Sequence, residues 1–370
     1  MARRRRRRGG HNFGAFWVCI VLLSILLVWL YHHGDELPPT EQWQPAVEQA
    51  VEHLPETARR IWEQIQNGAQ QVIDEAKTFL NLQQTTALPA VKPETAPDGQ
   101  LRVYSFQMGN ADAHLIQMSD WAMLIDAGEA GQSEGLVRRL KQLGVTKLDC
   151  VVATHPHADH IGGMAEIIRV FKPAACYLPQ AAHTTDEYAQ MLAALEDCQV
   201  DTISPQAGDT AAFGDVHISF LGPVRDDYSE LNDHSIVLRL TYGSKAFLFM
   251  GDAQSAAEQD ILASGAQLTA DVLKVGHHGS DTSSSEAFLD AVAPKYAIVC
   301  ADSIAGLSDA VDARLQALGT TILCTQSGDI LFTVQDDALS VQIITPQASA
   351  LPVFRWTGAA RVWDRFVKIF

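Results

Sequence analysis

Cysteine is scarce in this sequence and lacks the spacing that cysteine-based metal sites need. The 370 residues contain six cysteines and no Cys-x-x-Cys pair, which argues against a zinc site built from thiolates. If the domain lies outside the cell, two disulfides are plausible, Cys176 with Cys198 and Cys300 with Cys324. Five cysteines follow residue 100, so at least one thiol stays free, and buried structural cysteines are the simpler expectation.

Basic residues are also few for a protein of this size. The chain has 27 Lys and Arg against 44 Asp and Glu, a net charge of −17, and from Gln100 onward the counts are 17 and 33. A protein that holds long nucleic acids without sequence preference presents a basic surface to the phosphates. The composition therefore argues against a long DNA substrate, although a local basic patch is compatible with it. The sequence offers no Ser-His-Asp or reactive-cysteine arrangement and no internal repeat.

The N-terminus predicts a membrane anchor. Six consecutive arginines at 3–8 precede residues 13–31, which are nineteen residues without a charge, close to the roughly 20 that a helix needs to cross a bilayer. By the positive-inside rule, residues 1–12 form a basic cytoplasmic tail. The chain is then a single-pass protein of the cell membrane whose C-terminal domain is extracytoplasmic. A cleaved signal peptide is the alternative, but no small-residue cleavage site follows the apolar run.

Two further segments flank the predicted extracytoplasmic domain. Residues 35–99 predict a helical stalk followed by a Pro-rich linker, and the partner of the stalk is not identified by its sequence. Residues 352–370 predict an amphipathic tail with a basic face, which either lies on a membrane surface or docks on its own domain. Between them, residues 101–345 show hairpins followed by strand–helix alternation, and this order occurs twice. We therefore expect an α/β (α+β) domain with two similar halves packed face to face.

The most informative segment is residues 155–160, which read His-Pro-His-Ala-Asp-His and follow an apolar run at 148–153. Imidazole and carboxylate are ligands that suit zinc, with manganese or iron as alternatives. On extended backbone, His155 and His157 point the same way, whereas Asp159 and His160 turn toward a second point. The segment therefore predicts ligands for two adjacent metal ions.

Three later segments also carry potential ligands next to apolar strands. Asp252 follows the run at 246–250, His277 and His278 follow the run at 272–275, and His234 precedes the run at 235–240. Because all of them lie at strand ends or edges, one convergent site explains them better than separate turns do.

Taken together, these residues resemble the metallo-β-lactamase superfamily and, within it, the hydrolase domain of the ComEC/Rec2 competence proteins. The matching segments are residues 109–113, 124–128, 155–163, 232–235, 251–252 and 273–280. The resemblance implies an αββα metallo-β-lactamase sandwich with two zinc ions at one edge, manganese being the alternative metal. It implies the following ligands: His155 and His157 for the first ion, Asp159 and His160 for the second, Asp252 as the bridge, and His277 in preference to His278 closing the second site. His234 stands where many members of the superfamily have a metal-binding histidine and is therefore a further candidate ligand.

The sequence departs from the competence pattern at two places. Asn110 and Ala111 stand where that group has Gln and Gly, and residues 301–312 contain neither the histidine nor the proline of its Asn…His-Pro segment. Substrate contacts therefore differ from those of the group, or activity is reduced.

The expected mechanism follows from a two-metal site, which activates a hydroxide and clamps a phosphoryl or carbonyl oxygen. Asp159 and Asp252 would orient the hydroxide, and Asp126 would fix a histidine tautomer. The sequence thus predicts a membrane-anchored phosphodiesterase or nuclease whose substrate is DNA or a wall-polymer phosphodiester. The alternatives are an amide or β-lactam hydrolase, and a non-catalytic binding module of an envelope or DNA-uptake complex.

Overall fold

A computed structural model describes residues 96–345 of the chain. The predicted transmembrane helix at 13–31, nearly all of the stalk and linker at 35–99, and the tail at 352–370 lie outside these residues. Within residues 96–345, no helix combines the length and the apolar character that crossing a membrane requires.

Fifteen strands and seven α-helices make up the described residues. The strands are β1 Gln100–Ser105, β2 His114–Gln117, β3 Ala122–Ile125, β4 Cys150–Val152, β5 Ala175–Tyr177, β6 Asp201–Ile203, β7 Thr210–Phe213, β8 Val216–Gly222, β9 Val237–Tyr242, β10 Lys245–Phe249, β11 Val272–Lys274, β12 Tyr296–Val299, β13 Thr321–Cys324, β14 Asp329–Gln335 and β15 Ala338–Ile344. The helices are α1 Ser133–Gln142, α2 Ala158–Ile161, α3 Met164–Phe171, α4 Asp186–Asp197, α5 Ser255–Ala263, α6 Glu286–Val292 and α7 Asp309–Ala317.

The strands form two mixed sheets. The first sheet has the order β15-β14-β1-β2-β3-β4-β5-β6, and the second has the order β13-β12-β11-β10-β9-β8-β7. Strands β3 to β6 of the first sheet are parallel to each other, and so are strands β10 to β13 of the second sheet. The remaining neighbours pair antiparallel.

Three apolar clusters show how these elements are layered. Along β4, Val151 packs in the cluster formed with α1, α3 and α4, while Cys150 and Val152 face the opposite way into a cluster shared by both sheets. The third cluster joins the second sheet to α5, α6 and α7. Successive strand residues point to opposite faces, so central strands such as β4 and β11 are buried on both faces. The predicted layer order, two facing sheets with helices on the outside, is confirmed.

The two disulfides considered from the sequence are absent. All five cysteines among the described residues are free thiols, and four of them are buried. Cys176 lies in the core between the first sheet and its helices, where burial raises the pKa of its thiol to about 12. The cysteines therefore serve as small apolar core residues.

Candidate metal centre

The candidate site lies at the carboxyl ends of adjacent parallel strands in both sheets. Asp126 directly follows β3, the histidine-rich segment follows β4, Asp252 follows β10, and His277 and His278 follow β11. Loops at the carboxyl ends of parallel strands meet at one edge of a sheet, where α/β proteins bind ligands. The topology thus brings residues more than 100 positions apart to one place.

Close backbone packing holds the histidine-rich loop. Gly162 and Gly163 connect α2 to α3, and a Cβ atom on Gly163 would lie 2.4 Å from the carbonyl oxygen of Ala127. The amide of Gly163 also donates to the carbonyl of Gly128 at 3.0 Å. Only glycine permits this approach, so the two glycines fix α2 against the loop that carries Asp126.

Asp159, His160, Asp252 and His278 form a compact group of ligand atoms. One ligand atom from each residue lies within 4.8 Å of all the others. Oδ2 of Asp252 is 3.3 Å from Nε2 of His160 and 3.5 Å from Nε2 of His278. Nε2 of His278 is also 3.3 Å from Oδ2 of Asp159. Four side chains from three separate segments therefore face a common point.

Hydrogen bonds on the far side of the rings set the tautomers of both histidines. Nδ1 of His160 lies 2.8 Å from Oδ2 of Asp126, and Nδ1 of His278 lies 2.9 Å from the carbonyl oxygen of Cys300. Because both partners accept, each Nδ1 carries a hydrogen, and Nε2 is the atom of each ring that is left to bind a metal once it loses its proton. Thr154, which the sequence analysis did not single out, donates to Asp126 from its amide and its hydroxyl, both at 2.8 Å.

His155 and His157 form a second pair beside this group. Nε2 of His155 lies 3.0 Å from Nδ1 of His157 and 3.8 Å from Oδ2 of Asp252. The same oxygen of Asp252 therefore faces His155 as well as His160 and His278. A carboxylate oxygen in this position is suited to bridging two ions.

The structure assigns the second histidine of the Gly-His-His-Gly segment to the group, not the preferred first one. Nδ1 of His277 lies 2.9 Å from the hydroxyl of Thr282, and its Nε2 is 3.4 Å from Nδ2 of Asn232. His277 and His278 have φ values of +46° and +53°. This tight left-handed turn sends their side chains in different directions.

His234 also lies outside the group. Its Nε2 is 3.0 Å from the carbonyl oxygen of Tyr228, and its ring packs edge-on against the ring of Tyr228. The candidate ligand from the segment before β9 is thus engaged in a local contact.

Lys274 is a residue of the site that the sequence analysis missed. It is 1% exposed, and its Nζ lies 2.5 Å from Oδ2 of Asp112, 2.8 Å from the carbonyl oxygen of Gly251 and 3.5 Å from Oδ1 of Asp252. The available signal was a lysine inside an apolar strand, since lysine is rarely buried without a partner.

The carboxylates and cations of the site stabilise each other. Burial raises the pKa of Asp252, but His160 and Lys274 outweigh burial and hold that pKa well below its usual range. Burial lowers the pKa of His160, but Asp252 and Asp126 raise it well above its usual range. Likewise, Asp112 and Asp252 raise the pKa of Lys274 above its usual value against the effect of burial. The carboxylates of the centre therefore stabilise positively charged groups beside them.

Several buried ligand atoms lack hydrogen-bond partners, and this tests whether the residues suit a metal. These atoms include Nε2 of His160 and Nε2 of His278. Leaving a buried polar atom without a partner is costly, so such atoms are rare unless something else satisfies them. Imidazole nitrogens and carboxylate oxygens are ligands for zinc and manganese. The residues present fit a divalent metal centre.

Comparisons with known proteins agree with this geometry. Residues 108–303 match the family described as the metallo-beta-lactamase superfamily. Competence protein ComA of Neisseria gonorrhoeae is 28% identical over 252 residues, covering 65% of this chain and 33% of ComA. ComE operon protein 3 of Bacillus subtilis (strain 168) is 30% identical over 166 residues, covering 45% of this chain and 21% of that protein. The chain thus spans a third or less of the length of these curated relatives.

Among solved structures, the metallo-beta-lactamase fold protein YhfI of Bacillus subtilis aligns with a TM-score of 0.43 at 15% identity, covering 63% of this chain and 100% of YhfI. The family match covers more than half of the 370 residues and includes every residue of the metal centre. The chain belongs to the metallo-β-lactamase superfamily.

Proposed function

We propose that this metal-dependent hydrolase cleaves phosphodiester bonds. The observation that carries the proposal is the convergence of the unpartnered Nε2 atoms of His160 and His278 on Oδ2 of Asp252, next to the pair formed by His155 and His157. Three protein segments that lie apart in the chain thus build one centre for divalent cations.

The protein's own residues hold and orient this centre. His155 and His157 would hold one ion, while Asp159, His160 and His278 would hold the other, with Asp252 facing both. When bound, two divalent cations supply Lewis acidity to a phosphoryl oxygen and lower the pKa of a water molecule. The Asp159 side chain is 33% exposed, against 3% for Asp252, so solvent reaches it more readily. Asp159 is therefore placed to hold the attacking water.

The charge of the domain bears on the substrate class. Residues 96–345 contain 13 Lys and Arg and 33 Asp and Glu. A long nucleic acid needs a basic surface along its path, which favours a small or membrane-attached phosphodiester, such as a wall polymer. The names of two relatives, a competence protein and Recombination protein 2 of Haemophilus influenzae, make DNA the substrate to compare directly.

We place the catalytic domain outside the cytoplasm on the basis of the sequence of residues 1–31. The six arginines and the uncharged run of nineteen residues support a single-pass anchor with a cytoplasmic N-terminus. A reporter enzyme that works only outside the cytoplasm, fused after residue 370, tests this orientation. Activity of a cytoplasmic reporter at the same position would contradict it.

Turnover by the full-length protein tests the activity. Metal-stripped protein is reloaded with zinc or manganese and given bis(p-nitrophenyl)phosphate, an end-labelled oligonucleotide, a glycerol-phosphate polymer and a chromogenic β-lactam. We expect metal-dependent cleavage of bis(p-nitrophenyl)phosphate, loss of at least about 100-fold in His160→Ala, and no loss in His217→Ala, whose histidine is exposed on β8. Cleavage of the β-lactam alone would favour the amide hydrolase. A metal-loaded protein inert on all four would favour the binding module.

A further inference from the structure

Lys274 is buried at the point where the two sheets meet the metal centre. It is the one lysine or arginine among residues 96–345 that is buried. On β11, Val272 faces the core between the sheets and Leu273 faces the helices, so the side chain of Lys274 enters the layer between the sheets. Burying an ammonium group is costly unless charged and polar partners compensate it.

The partners of Lys274 come from both halves of the sandwich. Asp112 lies in the loop between β1 and β2 of the first sheet, while Gly251 and Asp252 follow β10 of the second. Nζ lies within hydrogen-bond distance of Oδ2 of Asp112, at 2.5 Å, and of the carbonyl oxygen of Gly251, at 2.8 Å. It forms an ion pair with Oδ1 of Asp252 at 3.5 Å. Lys274 therefore connects the sheets directly beneath the centre.

The two oxygens of Asp252 have different surroundings. Oδ1 lies 3.5 Å from Nζ of Lys274. Oδ2 faces three imidazoles, at 3.8 Å from Nε2 of His155, 3.3 Å from that of His160 and 3.5 Å from that of His278. A carboxylate can rotate about its terminal bond. A neighbouring group must therefore fix which of its oxygens faces the metal ligands.

We propose that Lys274 is a positioning residue whose ammonium holds Oδ1 of Asp252, so that a single oxygen of that carboxylate, Oδ2, faces both halves of the metal centre. Lys274 thus serves as a permanent cation inside the protein, and Asp112 holds it in place from the opposite sheet. The inference deepens the proposed function and rests on the same metal centre.

Removing the charge of Lys274 distinguishes two effects on metal affinity. A purely electrostatic effect of Lys274 and a positioning role predict changes in opposite directions. Lys274→Met keeps much of the side-chain length and deletes the positive charge. Charge alone would strengthen the binding of a divalent cation, because a nearby repulsion disappears. Positioning predicts weaker binding, by about 10- to 100-fold, as is typical when a residue that orients a ligand is removed.

A double variant separates positioning from the general cost of breaking a buried ion pair. Asp112→Asn combined with Lys274→Met leaves the net charge unchanged and leaves no buried charge of the pair uncompensated. Oδ1 of Asp252 still lacks its ammonium partner. Positioning therefore predicts that the double variant folds and still binds metal about 10- to 100-fold more weakly than the wild type.

Titration of the full-length wild type and both variants with cobalt(II) measures metal affinity without relying on turnover. Affinity comes from competition with a chelating dye, and the visible absorption of bound cobalt reports the ligand geometry. We expect both variants to bind more weakly and to show an altered cobalt spectrum. The proposal is overturned if the double variant titrates with the affinity and spectrum of the wild type. It is equally overturned if the double variant does not fold, since Lys274 then serves the fold.

The results for the wild-type protein distinguish a failure of the proposed activity from a failure of the proposed role of Lys274. A wild-type protein that binds no cobalt would overturn the metal centre and the role of Lys274 together. A wild-type protein that binds cobalt but cleaves no phosphodiester would overturn the proposed activity only. In that case the two variants still decide the role of Lys274.

Discussion

Asp126 and His160 form a fully buried hydrogen bond, with Oδ2 of the carboxylate 2.8 Å from Nδ1 of the ring. Asp126 also accepts two hydrogen bonds from Thr154. The carboxylate thereby connects the loop after β3 to the loop after β4 and keeps Nε2 of His160 free for a ligand. This contact fixes the orientation of the His160 ring before a metal binds.

Replacing Asp126 with asparagine is expected to weaken metal binding. One end of the new amide is a donor, so the side chain cannot accept all three hydrogen bonds that Thr154 and His160 donate to the carboxylate. Outer partners of metal-binding histidines typically contribute 10- to 100-fold in affinity, so we expect a loss of about that size. Asparagine tolerates the φ of +57° at this position, so the backbone is retained.

Competition with a chelating dye measures the loss. Asp336→Asn is the matched control, because Asp336 has a φ of +49° and is exposed on the turn between β14 and β15. Equal affinities for the wild type and Asp126→Asn would contradict the assigned role.

The two adjacent histidines after β11 are expected to differ in their effect on metal content. His278→Ala removes a ligand of the group formed with Asp159 and Asp252, so the bound metal should fall from two ions to one per chain. His277→Ala removes a contact to Thr282 and should leave the metal content unchanged. Elemental analysis after dialysis gives both values. The reverse result would restore the original preference for His277.

Metal affinity is expected to rise with pH. Burial lowers the pKa of His278, but hydrogen bonds to Asp159 and Asp252 outweigh it and raise the pKa to about 9. A metal binds the neutral imidazole, so at pH 7 it must displace a proton from His278. Each pH unit below about 9 should therefore weaken binding by about tenfold for this proton.

Calorimetry in buffers of different ionisation enthalpy counts the protons released on binding. His278→Ala should release at least one proton fewer than the wild type at pH 7. Affinity that stays constant between pH 6 and pH 9 would contradict the assignment of His278 as a ligand.

The close packing at Gly163 gives a prediction about stability. In Gly163→Ala the new Cβ would lie 2.4 Å from the carbonyl oxygen of Ala127, which is backbone and cannot move aside cheaply. We expect a loss of about 1–3 kcal/mol in the free energy of unfolding, as for other overpacked positions. Urea denaturation measures it. Gly131→Ala, where a Cβ meets no atom within 4 Å, should change stability little, and an equal loss in both would show that the approach to Ala127 is not the cause.

Local pattern in the sequence predicted much of the secondary structure around the site. The apolar run at 148–153 contains β4, and the run at 272–275 contains β11. The sequence analysis did not predict α7 or the hairpin of β14 and β15. β14 pairs with β1, as in Val103 with Phe332, and no local window contains both strands. Pairing over such a separation depends on the assembled sheet and leaves little trace in periodicity.

The sequence by itself determined the ligand types and their order along the chain, because imidazoles and carboxylates stand out at the ends of apolar runs. It could not choose between His277 and His278, because adjacent residues differ only in the direction that a left-handed turn gives their side chains. It also gave Lys274 no role, since the charge that Lys274 compensates belongs to Asp112, 162 positions earlier. Only the packing of the two sheets brings that carboxylate and that ammonium together. The tertiary structure therefore decided which side chains face the metal and which hold them in place.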